Sequence, residues 1–186
     1  MDGDGLRDLI IGSQDHSLGD EQFGAVFLVP ATRILSLPTE PFISGVEPSQ
    51  EHFFQDPSTP GIYRLDGKTA KGEFGASIAM VPKLGGDGRD ALLVGSPQSD
   101  VGGAAKTGGA FIFRLRPDGL GFEPKPIAVL SGETYRVGSN LGASVAATLL
   151  DGKPTVVIGS PFGTPFQSAD IVDNGTVYTV QLQVDP

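Results

Sequence analysis

The chain has 186 residues, and its 27 glycines and 15 prolines make up nearly a quarter of it, which excludes a helical bundle because both residues are unfavourable inside helices. A hydrophobic fraction of 39% still supplies a core, so a disordered chain is excluded too and an all-β protein of many short strands is expected. The net charge of -9 lacks the basic footprint that DNA, RNA or an anionic membrane requires, and the absence of cysteine excludes disulfides, zinc–thiolate sites and a cysteine nucleophile.

In chain order, the first feature is Asp2-Gly3-Asp4-Gly5-Leu6-Arg7-Asp8, which runs into the apolar strand Leu9-Ile10-Ile11. Alternating carboxylates with a glycine for the turn place hard oxygens around one point, as Ca²⁺ requires. A helical EF-hand is excluded, because counting Asp2 as its third position puts Ile11 where the bidentate Glu belongs. An acidic turn in which Asp8 caps a backbone group is the alternative. Acidic residues also stand where a secretory signal has a basic segment, so the chain is either cytoplasmic or has its signal elsewhere; no apolar run reaches the roughly 20 residues of a membrane span.

Next come Gly12-Ser13 and a strand from Gly24 to Val29, then a proline-rich stretch, 30–61, with Phe42, Phe53 and Phe54. This stretch reads as an excursion pinned by its aromatics or as a ligand contact. A strand at 62–65 and a polar loop lead to Phe74-Gly75-Ala76-Ser77-Ile78-Ala79. Asp87-Gly88, Leu92-Leu93-Val94-Gly95-Ser96-Pro97, a bulkier strand at 110–115 and a weaker one at 127–130 follow.

The series then restarts as Leu141-Gly142-Ala143-Ser144-Val145-Ala146, Asp151-Gly152, Val156-Val157-Ile158-Gly159-Ser160-Pro161 and a strand at 176–182. In each of three copies the Asp-Gly aspartate precedes the Gly-Ser glycine by the same interval: Asp4 and Gly12, Asp87 and Gly95, Asp151 and Gly159. A period of this length, made of short apolar runs between Gly, Pro, Asp and Ser clusters, predicts four-stranded antiparallel meanders, about ten strands in all with almost no helix.

These residues resemble the FG-GAP repeats of the β-propeller in integrin α subunits. Phe74-Gly75 and Leu141-Gly142 stand at the FG position, with Gly95-Ser96-Pro97 and Gly159-Ser160-Pro161 at the GAP position. The resemblance implies a partial β-propeller of about three four-stranded antiparallel blades, with segments 1–73 (including the insertion 30–61), 74–140 and 141–186. Three blades do not close a ring, so a fragment of a longer propeller, self-association or a small open sandwich are the alternatives. The resemblance also implies a calcium loop of the form D-x-D-x-D-G-x-x-D. Asp2, Asp4 and Asp8 match positions three, five and nine, and the Leu6 carbonyl matches position seven, so one Ca²⁺ site is expected, incomplete in this chain and weak. The matching loops of the later copies have lost most of these carboxylates, leaving Gly88 and Gly152 a geometric role.

Other motifs are weak. Residues 102–107 read as a glycine-rich connection, and Asn174-Gly175-Thr176 is a glycosylation sequon. The only histidines, His16 and His52, fit no nucleophile motif and read as solvated loop residues, so no catalytic residue is expected.

The resemblance implies a non-catalytic, secreted or cell-surface binding and adhesion module that presents loops to a protein or glycan ligand. The rival readings are the propeller part of a secreted enzyme, such as a phospholipase or a glycan-processing hydrolase, and a ligand-free scaffold. In a propeller alternate connections lie on opposite faces. The loops 13–23, 96–108 and 160–174 are therefore expected to share a face with 66–73 and 131–140, opposite the calcium loop and the insertion. That face would carry Asp15, Asp20, Glu21, Asp100, Asp170 and Asp173, with Phe162 and Phe166 as aromatic anchors.

Overall fold

The computed structural model describes residues 5–35, 62–84, 88–101, 105–119, 121–131, 138–163 and 175–183. In chain order the strands are β1 (Leu9–Ser13), β2 (Ser17–Leu18), β3 (Glu21–Gln22) and β4 (Ala25–Val29), then the one-turn helix α1 (Ala31–Leu35) and β5 (Tyr63–Asp66). There follow β6 (Ser77–Val81), β7 (Ala91–Ser96), β8 (Gly109–Arg114), β9 (Ala128–Ser131), β10 (Ser144–Leu150), β11 (Lys153–Ser160) and β12 (Thr176–Gln181). They form three antiparallel sheets, β1-β4-β5, β6-β7-β8-β9 and β10-β11-β12, plus the two-residue ribbon β2-β3. The architecture is all-β, three consecutive blades of propeller type, as the repeat predicts.

The apolar runs form strands buried on both faces wherever a sheet lies on either side. Every residue of β7 is buried, and its side chains alternate between two cores, as a strand's period of two requires. Leu92 and Val94 join Val26, Leu28 and Leu65 of the first sheet, while Ala91 and Leu93 join Val156 and Ile158 of the third. Each fully buried Leu, Ile or Val contributes about 1.5–3 kcal/mol, so the middle sheet gains from both sides. In contrast β10 and β12 strictly alternate between half-buried and exposed positions, because only one face of the third sheet is covered.

The turns explain the register. Asp151 and Gly152 both take positive φ, 50° and 76°, giving the two-residue hairpin that pairs Leu150 with Lys153. Gly19, with φ of 64°, and Asp20 form the two-residue turn that closes the β2-β3 ribbon, so the connection 13–23, expected as plain loop, carries two short paired strands. The His16 carbonyl at its base accepts hydrogen bonds from the Phe23 and Gly24 amides.

Successive sheets are fastened at the glycines of the repeat. The Gly75 carbonyl lies against Gly12 and the Gly142 carbonyl against Gly95, so closely that any β-carbon at Gly12 or Gly95 would overlap it. Gly24 and Gly108 sit against the backbone of Phe74 and Leu141, bridged to them in parallel pairing. The Ser77 hydroxyl donates to the Gly142 carbonyl at 2.8 Å. Each apolar-Gly element thus seats in a glycine-lined socket on the preceding sheet, where only hydrogen side chains allow the two backbones to approach.

Candidate functional site

The loops expected on one face are tied together edge to edge. The Lys71 amide donates to the Gln22 carbonyl and Gln98 to Gly72, which joins the first connection to the loop before β6 and that loop to the connection after β7. Gly138 donates to Lys106, Leu141 to Thr107 and Phe162 to Ser139, extending the chain of loops to the third sheet. The serine of each Gly-Ser-Pro element staples this face: the buried Ser96 hydroxyl donates to the Gly72 carbonyl and Ser160 to Ser139, both at 2.7 Å. These serines hold loops in place, a role that the motif alone does not reveal.

A cleft of about 250 Å³ opens on this face between the first two sheets. Its floor is aromatic: Phe74 meets Phe113 edge-on, with centroids 5.8 Å apart, and Phe111 at 6.0 Å. Pro124 and Pro126 add apolar surface to the lining, while Asp66, Lys68 and Asp100 bring charge to it. Two of these charges are anchored. Arg64 lies 2.8 Å from Asp66, and Asp100 accepts the Lys106 amide at 2.8 Å, which fixes the turn of its own loop. A rigid aromatic floor with a few polar groups suits a planar or ring-shaped apolar moiety carrying hydroxyl or cationic groups. The aromatic positions belong to the repeat, but their convergence with the prolines of the 122–127 connection was not legible in the sequence.

Asp15, Asp20, Glu21 and Asp100 are exposed on the same loops, as is Phe162, which is 45% accessible. Phe166, Asp170 and Asp173 lie outside the described residues. His16 departs from the solvated reading: it is 8% exposed and packs edge-on against Phe27 at 5.2 Å, because the β2-β3 ribbon folds it onto the first sheet. Burial first, and the Arg64 guanidinium second, hold its imidazole below the ordinary value of 6.5, against an opposing pull from Asp66.

Of the residues expected to bind metal, Asp2 and Asp4 lie outside the described residues. Leu6 is half exposed beside Gly5, whose φ is 82°. Asp8 plays a structural part, since its Oδ1 accepts the Ala31 amide at 3.0 Å and so caps α1. Asp90 acts similarly in the second sheet, accepting the Lys83 amide at 3.1 Å. Among the described residues no group of three or more His, Cys, Asp or Glu converges as a metal site, and Leu6 and Asp8 alone supply fewer than the six to eight oxygens that Ca²⁺ takes.

No protein-family model matches the chain. The chain is 30% identical to integrin alpha-5 of Xenopus laevis over 138 residues, which is 72% of this chain. An integrin-α-like relationship is thereby supported. The chain spans 11% of the length of that relative. Among the described residues no helix is long and apolar enough to cross a membrane.

Proposed function

We propose that this integrin-α-like chain is a non-catalytic, extracellular adhesion-type module of FG-GAP character, with repeats at 1–73, 74–140 and 141–186. Its ligand contact is the aromatic cleft between the first two sheets. The reading is carried by the cleft's position on the fastened loop face of an integrin-α-like stack. Rigid sheets hold the loops in register, so little ordering entropy is lost on binding. The clustered phenylalanines, with Phe111 the partly exposed one, offer apolar surface to a sugar ring or an apolar side chain, and the Asp66–Asp100 rim favours a ligand with hydroxyl or cationic groups.

A weak Ca²⁺ site at Asp2, Asp4, the Leu6 carbonyl and Asp8 belongs to the same reading. Hard carboxylate oxygens fit the ion, and when bound it would supply rigidity to the turn entering β1, on the side away from the cleft. Asp8 also caps α1 through its Oδ1.

The test is to probe arrays of glycans and of extracellular-matrix peptides with the chain, then to repeat any binding with Asp66→Asn, which removes a rim carboxylate, and Phe111→Leu. A loss of tenfold or more in both variants is the expected result. If only Phe53→Ala and Phe54→Ala weakened binding, the insertion would be the contact surface and the cleft assignment would fall.

A further inference from the structure

We propose that His16 is the positioning residue of the cleft: uncharged, it seats the β2-β3 ribbon that holds the 66–74 segment in place, and on taking up a proton it releases that segment and weakens ligand contact. This regulation by pH rests on the cleft reading above. The His16 carbonyl takes the amides of Phe23 and Gly24, and the carbonyls of Gln22, Phe23 and Gly24 take the amides of Lys71, Phe74 and Gly67. Asp66, Gly67, Lys68, Thr69 and Phe74 all line the cleft, so one wall of it hangs from the ribbon that His16 anchors.

By itself the ribbon is weakly held. It has two residue pairs, Ser17 with Gln22 and Leu18 with Glu21, too few for a stable hairpin in water. Its footing is His16, which is buried and lies edge-on to Phe27. Phe27 pairs with Arg64 and Ala25 with Asp66, so these four side chains project from one face of the first sheet, the face against which His16 packs. Ribbon and segment are pressed close together, since a β-carbon at Gly67 would overlap the Phe23 carbonyl.

Charge is what this seat does not accommodate. The His16 Nε2 is buried and has no hydrogen-bond partner among the described residues. Protonated, it becomes a charged donor without an acceptor, a costly state away from water. From β5 the Arg64 guanidinium repels an imidazolium and Asp66 attracts it, but that carboxylate is already paired with Arg64 at 2.8 Å. Asp15, Asp20 and Glu21 on its own connection are exposed, as is Lys71 on the segment attached to Gln22. Burial first, and Arg64 second, therefore favour the neutral ring in the seat, whereas an imidazolium regains its hydration only by lifting the ribbon. The lifted state takes up the proton more readily than the seated one, so acidification shifts the population toward it and the cleft loses a wall.

The experiment follows amide exchange in the full chain at pH 7.5 and 5.5, corrected for the intrinsic rate, alongside titration with benzylamine, whose ring suits the aromatic floor and whose ammonium stays charged at both values. Expected on acidification are a several-fold loss of protection at Gly67, Lys71 and Phe74, with β7 unchanged, and weaker benzylamine binding. His16→Gln should remove both effects, and so should His16→Phe, which keeps a ring against Phe27. His52→Gln, at the chain's other histidine, should leave them. Loss of protection without benzylamine binding at either value would support the ribbon's release and overturn the cleft reading. Protection that is flat with pH, that falls equally in His16→Phe, or that falls across β7 as well would overturn the proposal, as would benzylamine binding equal at both values.

Discussion

Single residues carry strain that the repeat itself shows how to relieve. Glu73 and Asn140 occupy equivalent positions just before Phe74 and Leu141, and both are left-handed, with φ of 58° and 56°. Asparagine visits this region readily, whereas a longer side chain pays roughly 1–2 kcal/mol for it. Glu73→Asn should therefore raise stability by about 0.5 kcal/mol or more, read as a higher urea midpoint with unchanged slope. Asp8→Ala should lose about 1 kcal/mol through the α1 cap in Ca²⁺-free buffer. Asp4→Ala should leave that stability alone and abolish the heat of Ca²⁺ binding in calorimetry; equal Ca²⁺ heats in wild type and Asp4→Ala would move the site elsewhere. His16 adds a pH dependence of known sign. Its folded pKa lies below the unfolded 6.5, so the unfolded chain takes up the proton first. The stabilisation is present above that value and is lost as pH falls through it toward the lower folded pKa. Comparing urea midpoints at pH 7.5 and 5.5, His16→Gln should lose less on acidification than the wild type.

At the scale of the element, the glycine sockets make a substitution's cost depend on which sheet it is in. Gly95→Ala sets a methyl against the Gly142 carbonyl and the Ser77 hydroxyl and should cost about 2–3 kcal/mol. Gly159→Ala meets only the rotatable Ser144 hydroxyl and should be near neutral, since alanine is otherwise the better strand residue by some tenths of a kcal/mol. Equal costs at the two positions, measured by denaturant unfolding, would contradict the fastening described here. The strands were legible because Gly-Ser, Asp-Gly and apolar-Gly recur at set intervals, and Asp151-Gly152 announces its hairpin outright. The β2-β3 ribbon was not legible, since Ser17-Leu18 and Glu21-Gln22 have no apolar alternation and are held by the Gly19 turn and the His16 carbonyl. The aromatic cleft escaped for a related reason: Phe74, Phe111 and Pro124 lie far apart along one repeat, and only the folding of the β6-β9 sheet, with Asp66 of the first sheet beside it, brings them together.

Over the whole molecule, burial is graded. The middle sheet is packed on both faces and the third on one, so amide exchange should be slowest in β7 and fastest in β12, with β4 near the former. Uniform protection across the three sheets would show a single cooperative block in place of a stack with nearest-neighbour coupling. That coupling has a direction. Each apolar-Gly element belongs by sequence to one repeat but does its fastening on the repeat before it. Damage to Gly142 would loosen the edge of the 74–131 sheet, and damage to Gly75 would loosen the sheet ahead of that. A map of variant effects along this chain would consequently read one repeat out of phase, with the gene segment that is altered and the sheet that fails displaced by a full period.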